Sequence, residues 1–408
     1  MEFIIRPIRL LYKTFVLILF SFSISSCTEQ YVFQTNSTFE SILVVQANIT
    51  NELKKQEIKI TKSYRFEENG PTFEKGANVY VTDSDKNTFE FELEEFSGLY
   101  VSKNDFQAIP GKSYRLNIIT KDGKSYSSAV QTLTEVNEIE VESKAATIDG
   151  NKGVQIMVSS FDPNGKSRFY RYEYEETYKV VSPYWNRNKL IVDSGSPNIE
   201  EPKYLIVPRE GETRICYSTK KSDDLILLST VGLSEDRINL PIRFIDIKNP
   251  VLNERYSIIV RQYIQNLESY TYYTTLKTLS TSSSLFSQVQ PGFNYGNLKS
   301  DDNPDEKVIG YFEVSSVSSK RIFVDFRALF ADDPYPPFAF DCTSAELLNC
   351  WDAKGCAGST ILALIKSPVP EKIFYGSRDN MEVIIFVPSP CGDCTKISSN
   401  IKPLFWID

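Results

Sequence analysis

The chain has 408 residues, a formal net charge of −8, no histidine, 7 cysteines and 13% aromatic residues. Without imidazole there is no Ser-His-Asp triad, no Cys-His nucleophile pair and no zinc site that uses histidine. An acidic chain with no basic block also lacks the electrostatic footprint of a nucleic-acid binder.

Residues 1–26 read as a secretory leader of the lipoprotein type. Arg6, Arg9 and Lys13 form a positive region, Phe15 to Phe20 with Phe22 and Ile24 an apolar one, and Ile24-Ser-Ser-Cys27 closes it. The apolar run is too short for a membrane span, which takes about 20 residues. The closing tetrapeptide resembles the bacterial lipobox, which implies acylation of Cys27 with palmitate-like chains after cleavage. Such chains contribute about 0.8 kcal/mol per buried methylene toward holding a protein on a bilayer. The alternative is an ordinary cleaved leader with a cysteine after Ser26. Residues 27–37 are polar and read as a lipidated tether. Thr28, rather than Asp, follows the cysteine, and in enteric-type sorting this favours the outer membrane.

The body is expected to be mainly β. Residues 38–140 predict a sandwich of immunoglobulin or transthyretin type. Ile42 to Ile49 is apolar and strand-like. Glu57-Ile-Lys-Ile-Thr61 and Thr88-Phe-Glu-Phe-Glu-Leu93 alternate with period two, and Ala77 to Asp83 and Gly98 to Val101 add strands. Lys121-Asp-Gly-Lys124, between Ser113–Ile119 and Ser125–Val130, predicts a hairpin.

Residues 141–335 predict a second β-rich domain. Val154 to Phe161 is a strand, Asp162-Pro-Asn-Gly165 a turn, and Phe169-Tyr-Arg-Tyr-Glu-Tyr-Glu175 is read as its partner, its alternating tyrosines packing across strands rather than stacking on sugar. Asn186 to Pro202 reads as a loop, Leu225 to Thr230 and Arg255 to Tyr263 as strands. A helix is predicted near residues 266–280: Asn266 can cap it, and Leu267, Tyr270, Tyr273, Leu276 and Leu279 recur at helical spacing. Ser287 to Lys307 reads as a long loop, after which Val308–Val314 and Arg321–Asp325 resume as two strands.

Residues 336–408 form a Cys-rich segment expected to pack on the second domain. Cys216, Cys342, Cys350, Cys356, Cys391 and Cys394 are even in number, as disulfides in an exported protein require. Their pairing is open. A zinc site would join the Cys391/Cys394 pair to Cys342, Cys350 or Cys356, and Cys391-Gly-Asp-Cys394 has the spacing of a redox motif. Pro388 and Pro390 before it favour a loop over the helix start that redox chemistry needs.

The chain resembles the lipoprotein family known only as domain of unknown function 4249. The resemblance rests on Tyr114-Arg-Leu116 with Asp122-Gly-Lys-Ser-Tyr126, on Ile215-Cys216, and on Leu233-Ser-Glu-Asp-Arg-Ile238. Its most specific stretch is Gln262, Leu267, Tyr270 and Leu276, then Ser284-Leu-Phe286, Gln290-Pro291, Gly296-Asn297 and Val308-Ile-Gly-Tyr-Phe312. The end, Cys391 to Cys394 with Lys402-Pro403 and Phe405-Trp406, is also similar, while Ile397-Ser-Ser-Asn400 departs where a glycine-containing stretch is expected. The family implies an exported Gram-negative lipoprotein without assigned catalytic residues, often encoded beside TonB-dependent outer-membrane receptors.

The expectation is therefore an outer-membrane lipoprotein, not an enzyme, that serves as an accessory binding or assembly partner of a TonB-dependent transporter. No cofactor, metal or nucleic acid is expected. The alternatives are a purely structural envelope protein and an extracytoplasmic hydrolase using paired carboxylates. For the latter, Asp301, Asp302, Asp305 and Glu306, or Asp332 and Asp333, have the right chemistry, and the first group could also offer oxygen ligands to calcium.

Overall fold

The computed structural model describes residues 41–65, 67–195, 201–281, 296–351 and 353–408. Cys27, residues 28–37 and the first part of the loop read at Ser287–Lys307, up to residue 295, lie outside them, and the rest of that stretch holds a short strand, Leu298–Ser300. The chain divides into two units. In the first, Met1–Ser41 with Arg65–Glu68, the described part is a turn in which the Glu68 N–H donates to the Arg65 carbonyl. The second unit, Ile42–Tyr64 with Asn69–Asp408, holds everything that follows.

The protein is mainly β, and its frame is a 15-stranded sheet. One strand, Val308–Val324, ties the sheet together. Its first half pairs in parallel with Leu43–Thr50, and its second half pairs antiparallel with Tyr256–Gln265. Two strands expected from the sequence are thus one continuous element serving two lobes. Its first half is buried on both faces and mostly apolar, with Glu313 as its one charged residue.

In the first lobe the sheet runs from Val308–Val324 through Leu43–Thr50, Glu57–Lys62, Leu99–Ser102, Thr88–Glu94, Asn78–Asp83, Ser113–Ile119 and Ser125–Ser128 to Leu298–Ser300. It curls until its ends meet. Asn297, just before the last strand, donates through its side chain to the Phe312 carbonyl (2.9 Å) and accepts from the Phe312 N–H (2.8 Å). Close backbone approach at this seam needs glycine. Gly310 has φ +142° and Gly296 φ +75°. A Cβ at Gly310 would lie 2.0 Å from the Val45 carbonyl oxygen, and one at Gly296 would lie 1.7 Å from the Gly310 carbonyl oxygen. The lobe encloses Val45, Ile49, Ile58, Ile60, Val79, Val81, Leu116 and Ile118, all fully buried. Each such side chain contributes about 1.5–3 kcal/mol. The Lys121–Lys124 hairpin forms as expected, with Ile119 opposite Ser125 and Gly123 at φ +88°.

In the second lobe the sheet continues through Tyr256–Gln265, Phe169–Val181 and Ile215–Lys221. A separate three-stranded sheet of Glu140–Ile148, Asn151–Asp162 and Asp236–Asp246 packs against it. Here the expected pairing of Val154–Phe161 with Phe169–Glu175 is corrected. Asn151–Asp162 pairs with Glu140–Ile148 and Asp236–Asp246, while Phe169–Val181 pairs with Tyr256–Gln265. The two segments face each other across a shared core instead. The cause is local. The Asp162 carboxylate accepts from the backbone N–H groups of Asn164, Lys166 and Ser167, each at 2.9 Å. That shapes an arch that carries the chain to the other sheet instead of a tight hairpin.

The helix spans Leu267–Thr281, and the Asn266 side chain accepts from the Ser269 N–H at 2.8 Å, as an N-cap does. Its inner face is not quite the one expected. Leu267 is 60% exposed, while Ser269 is buried and Tyr272 joins Tyr270 and Tyr273 in contact with the sheet. The first residue after a cap is free to point outward, so the buried stripe begins one turn later. The region read as a loop from Asn186 holds a strand, Asn188–Val192, paired with Tyr204–Pro208. This hairpin shares a small core with the C-terminal strands Ala345–Leu348, Lys372–Arg378 and Val383–Pro388 and the helix Gly358–Lys366.

Candidate functional site

The alternation in Phe169–Glu175 puts tyrosines on the core side and Arg171, Glu173 and Glu175 on the other face. On an ordinary half-buried sheet that second face is wet. Here the helix Leu267–Thr281 covers part of it, and Arg171 is 5% exposed. Its guanidinium lies 4.1 Å from the ring centre of Tyr263, its cross-strand neighbour, and 5.0 Å from that of Tyr273 on the helix. One arm donates to Glu173. The other donates at 3.2 Å to Glu313, a 2% exposed carboxylate on the Val308–Val324 strand.

Glu313 has further donors. Gln265 Nε2 at 2.8 Å and Ser269 Oγ at 2.7 Å both reach its other oxygen. Burial alone would lower the pKa of Arg171, but the carboxylates of Glu313 and Glu173 outweigh it and hold it above its ordinary value. Burial likewise pushes the phenols of Tyr263 and Tyr273 upward, so they stay neutral. The Arg171 Nε is buried and has no hydrogen-bond partner among the described residues.

This charged knot forms part of the floor of an open cleft of about 630 Å³ on one face of the large sheet. That is within the range of small-ligand sites, roughly 300–1,000 Å³. One wall belongs to the first lobe, with Gln46, Asn48, Lys54, Lys55 and Lys59. The other belongs to the second, with Glu173, Glu175, Lys221, Ser222 and Arg261. Glu175 is engaged by Arg321 at 3.6 Å and Glu173 by Arg171. Lys54 pairs with Glu52, and Lys55 donates to the carbonyls of Ser102 and Lys103. Lys59, Lys221 and Arg261 make no ion pair among the described residues.

The residues singled out from the sequence fall elsewhere. The six cysteines pair as Cys216–Cys394, Cys342–Cys391 and Cys350–Cys356. Cys391 and Cys394 are therefore not bonded to each other, and neither sulfur is left as a thiolate for redox chemistry or zinc. Cys216–Cys394 binds the tail to the second lobe, where Trp406 packs edge-on against Tyr217 and Phe323, and the other two bridges lie within the tail.

The carboxylates after the helix are structural clasps. Asp302 accepts from the Ser125 N–H at 2.6 Å and Asp301 from the Ser127 hydroxyl at 2.7 Å. Glu306 accepts from Lys124 at 2.8 Å and from the Tyr126 hydroxyl at 2.9 Å. Burial raises the pKa of Glu306, but the bonds from Lys124 and Tyr126 dominate and leave it below the usual range. Asp305 is exposed in this loop. Asp333 pairs with Lys152 at 2.7 Å, and Asp332 is exposed beside it. Neither group lines the cleft, and no cluster of three metal-ligating side chains occurs among the described residues.

Arg171, Glu313, Lys59 and Arg261 went unmarked in the sequence reading. The available signal was weak: a cation between two tyrosines, and a lone glutamate inside the apolar run Val308–Val314.

The family described as "Domain of unknown function (DUF4249)" has a model that matches residues 28–321. No curated protein matches the chain. The matched span takes in both walls of the cleft and all of the Arg171 network, and it stops short of the tail that carries five of the cysteines.

Proposed function

Since the chain belongs to the DUF4249 family, we propose that it is a lipid-anchored outer-membrane binding protein, held by acylated Cys27, that captures a small polar ligand in the cleft over Arg171. In this reading it works as an accessory to a TonB-dependent outer-membrane transporter and performs no chemistry on what it holds. The cleft carries the reading. It is of ligand size, its floor is fixed by a buried ion-pair network, and three cations on its walls make no ion pair among the described residues. The anchor is supported by Ile24-Ser-Ser-Cys27 behind a basic and apolar leader. The transporter partnership is supported by the family resemblance.

The test is metabolic labelling with a palmitate analogue, together with capture from detergent-solubilised membranes. The parent protein should be labelled, fractionate with the outer membrane and bring down a β-barrel receptor. Cys27→Ser should lose the label and enter the soluble fraction. A label retained in Cys27→Ser rules out the anchor, and capture that never recovers a barrel rules out the partnership.

A further inference from the structure

The charge pattern of the cleft narrows the ligand class. On a chain of net charge −8, the cleft presents six cationic side chains against three carboxylates. Two of those carboxylates, Glu173 and Glu175, are occupied by Arg171 and Arg321. Against the one carboxylate left over, Glu57, stand three cations that make no ion pair among the described residues: Lys59, Arg261 and Lys221. These sit on three different strands. Lys59 is opposite Gln46 on the first-lobe wall, Arg261 opposite Glu173, and Lys221 opposite Glu175.

Adjacent strands are about 4.8 Å apart, so three strand spacings put the rows of Lys59 and Arg261 about 14 Å apart, and two more put Lys221 about 10 Å beyond. A single small anion cannot meet charges so spread, whereas a chain with repeated acidic groups can. Between the charges lie the amides of Gln46 and Asn48 and the Ser222 hydroxyl, with the Tyr263 ring and the aliphatic Leu99 and Leu225 beside them. A peptide would look for a free strand edge. The strands of this floor pair on both sides apart from Ile215–Lys221 at the end of the sheet, where Tyr217 bridges to Ser399, so a peptide could add only there, away from Lys59 and Arg261.

We propose that the cleft binds an acidic oligosaccharide, a short sugar chain carrying carboxylate or sulfate groups, with Lys59, Arg261 and Lys221 reading its charges. The inference rests on the ligand-binding reading of the cleft above and specifies what that site accepts.

The experiment is calorimetric titration of the full-length protein in detergent with tetragalacturonate, a chondroitin sulfate tetrasaccharide, neutral cellotetraose and tetraglutamate. At least one acidic sugar should bind, more weakly as salt rises, and cellotetraose should not. Arg261→Gln and Lys59→Gln should each weaken binding about tenfold, the loss expected for one charge-assisted hydrogen bond. Lys144→Gln, on an exposed position outside the cleft, should leave it unchanged. Binding of cellotetraose with unchanged affinity in both cleft variants overturns the charge assignment while the binding reading stands. Tetraglutamate binding as tightly as the sugars overturns the sugar class. Silence from all four compounds removes both the inference and the binding role of the cleft.

Discussion

The two lobes solve burial differently. The first has no cysteine, a core of aliphatic side chains with rings such as Tyr100, Tyr114 and Phe312 among them, and keeps its buried carboxylates at the rim. Glu74 pairs with Lys62 at 2.8 Å, and Asp83 pairs with Lys112 at 3.0 Å while shaping the turn before Asn87. The second places polar groups inside its layers. Besides the Arg171–Glu313 knot, Glu176 receives the Tyr256 hydroxyl at 2.6 Å and Arg243 at 2.9 Å. Gln262 receives the Tyr172 hydroxyl at 2.8 Å. The second lobe is also stapled to the tail by one disulfide, Cys216–Cys394. Hydrophobic burial alone suffices where hairpins are short and local. The region that presents the cleft gives up some of that stability to hold charged groups in place, and it uses a covalent link alongside.

The largest expected effect tests the covalent side of this contrast. Cys216 and Cys394 close a loop with a sequence separation of 178 residues. Chain entropy predicts that replacing both with serine costs up to about 5 kcal/mol, read by denaturant unfolding. If the pair is lost without a change in midpoint, the tail is not a staple. Next comes the buried ion pair. Glu313→Ala leaves Arg171 buried without its main partner and should cost about 3–5 kcal/mol. The double change Arg171→Met with Glu313→Leu should recover most of it. A single variant as stable as the parent would mean that the knot contributes nothing net.

The smallest effect belongs to the first lobe and is a pH effect. Burial disfavours the Asp83 carboxylate, but hydrogen bonds from Asn87 and Lys112 outweigh it and hold its pKa at about 2, below the ordinary 3.8. A depressed folded pKa stabilises above the unfolded value and is lost as pH falls through the folded one. This contribution is therefore full above about pH 5 and fades toward pH 2. Discounted for screening at the rim, it is about 1–2 kcal/mol. Melting curves from pH 2 to 6 should show Asp83→Asn with a flatter acid limb. Parallel curves for parent and variant would contradict the assignment.

Much of the first lobe was legible in the amino acids because its signals are local. Thr88 to Leu93 alternates cleanly, and Asp122-Gly123 forces the turn it occupies. The second lobe was harder to read because its decisive contacts join distant residues. Phe169–Glu175 looks like a hairpin partner until Asp162 is seen to bend the chain away. Val308–Val324 reads as two strands because nothing local says that one half will serve each lobe. The capped helix was visible from Asn266, yet what it covers was not. An arginine between tyrosines is ordinary on a solvated face, and only the fold brings Tyr273, Ser269 and Glu313 over it.

The pairing of Leu43–Thr50 has a mechanical consequence. This strand is paired along eight residues with Val308–Val324 on one side and along five with Glu57–Lys62 on the other. A tug arriving from residues before Leu43 pulls along the strand, so both ladders are loaded in shear and many bonds must yield together instead of opening one at a time. Under the anchoring proposed above, a pull from flow or from a moving neighbour would reach the body through a strand held on both sides.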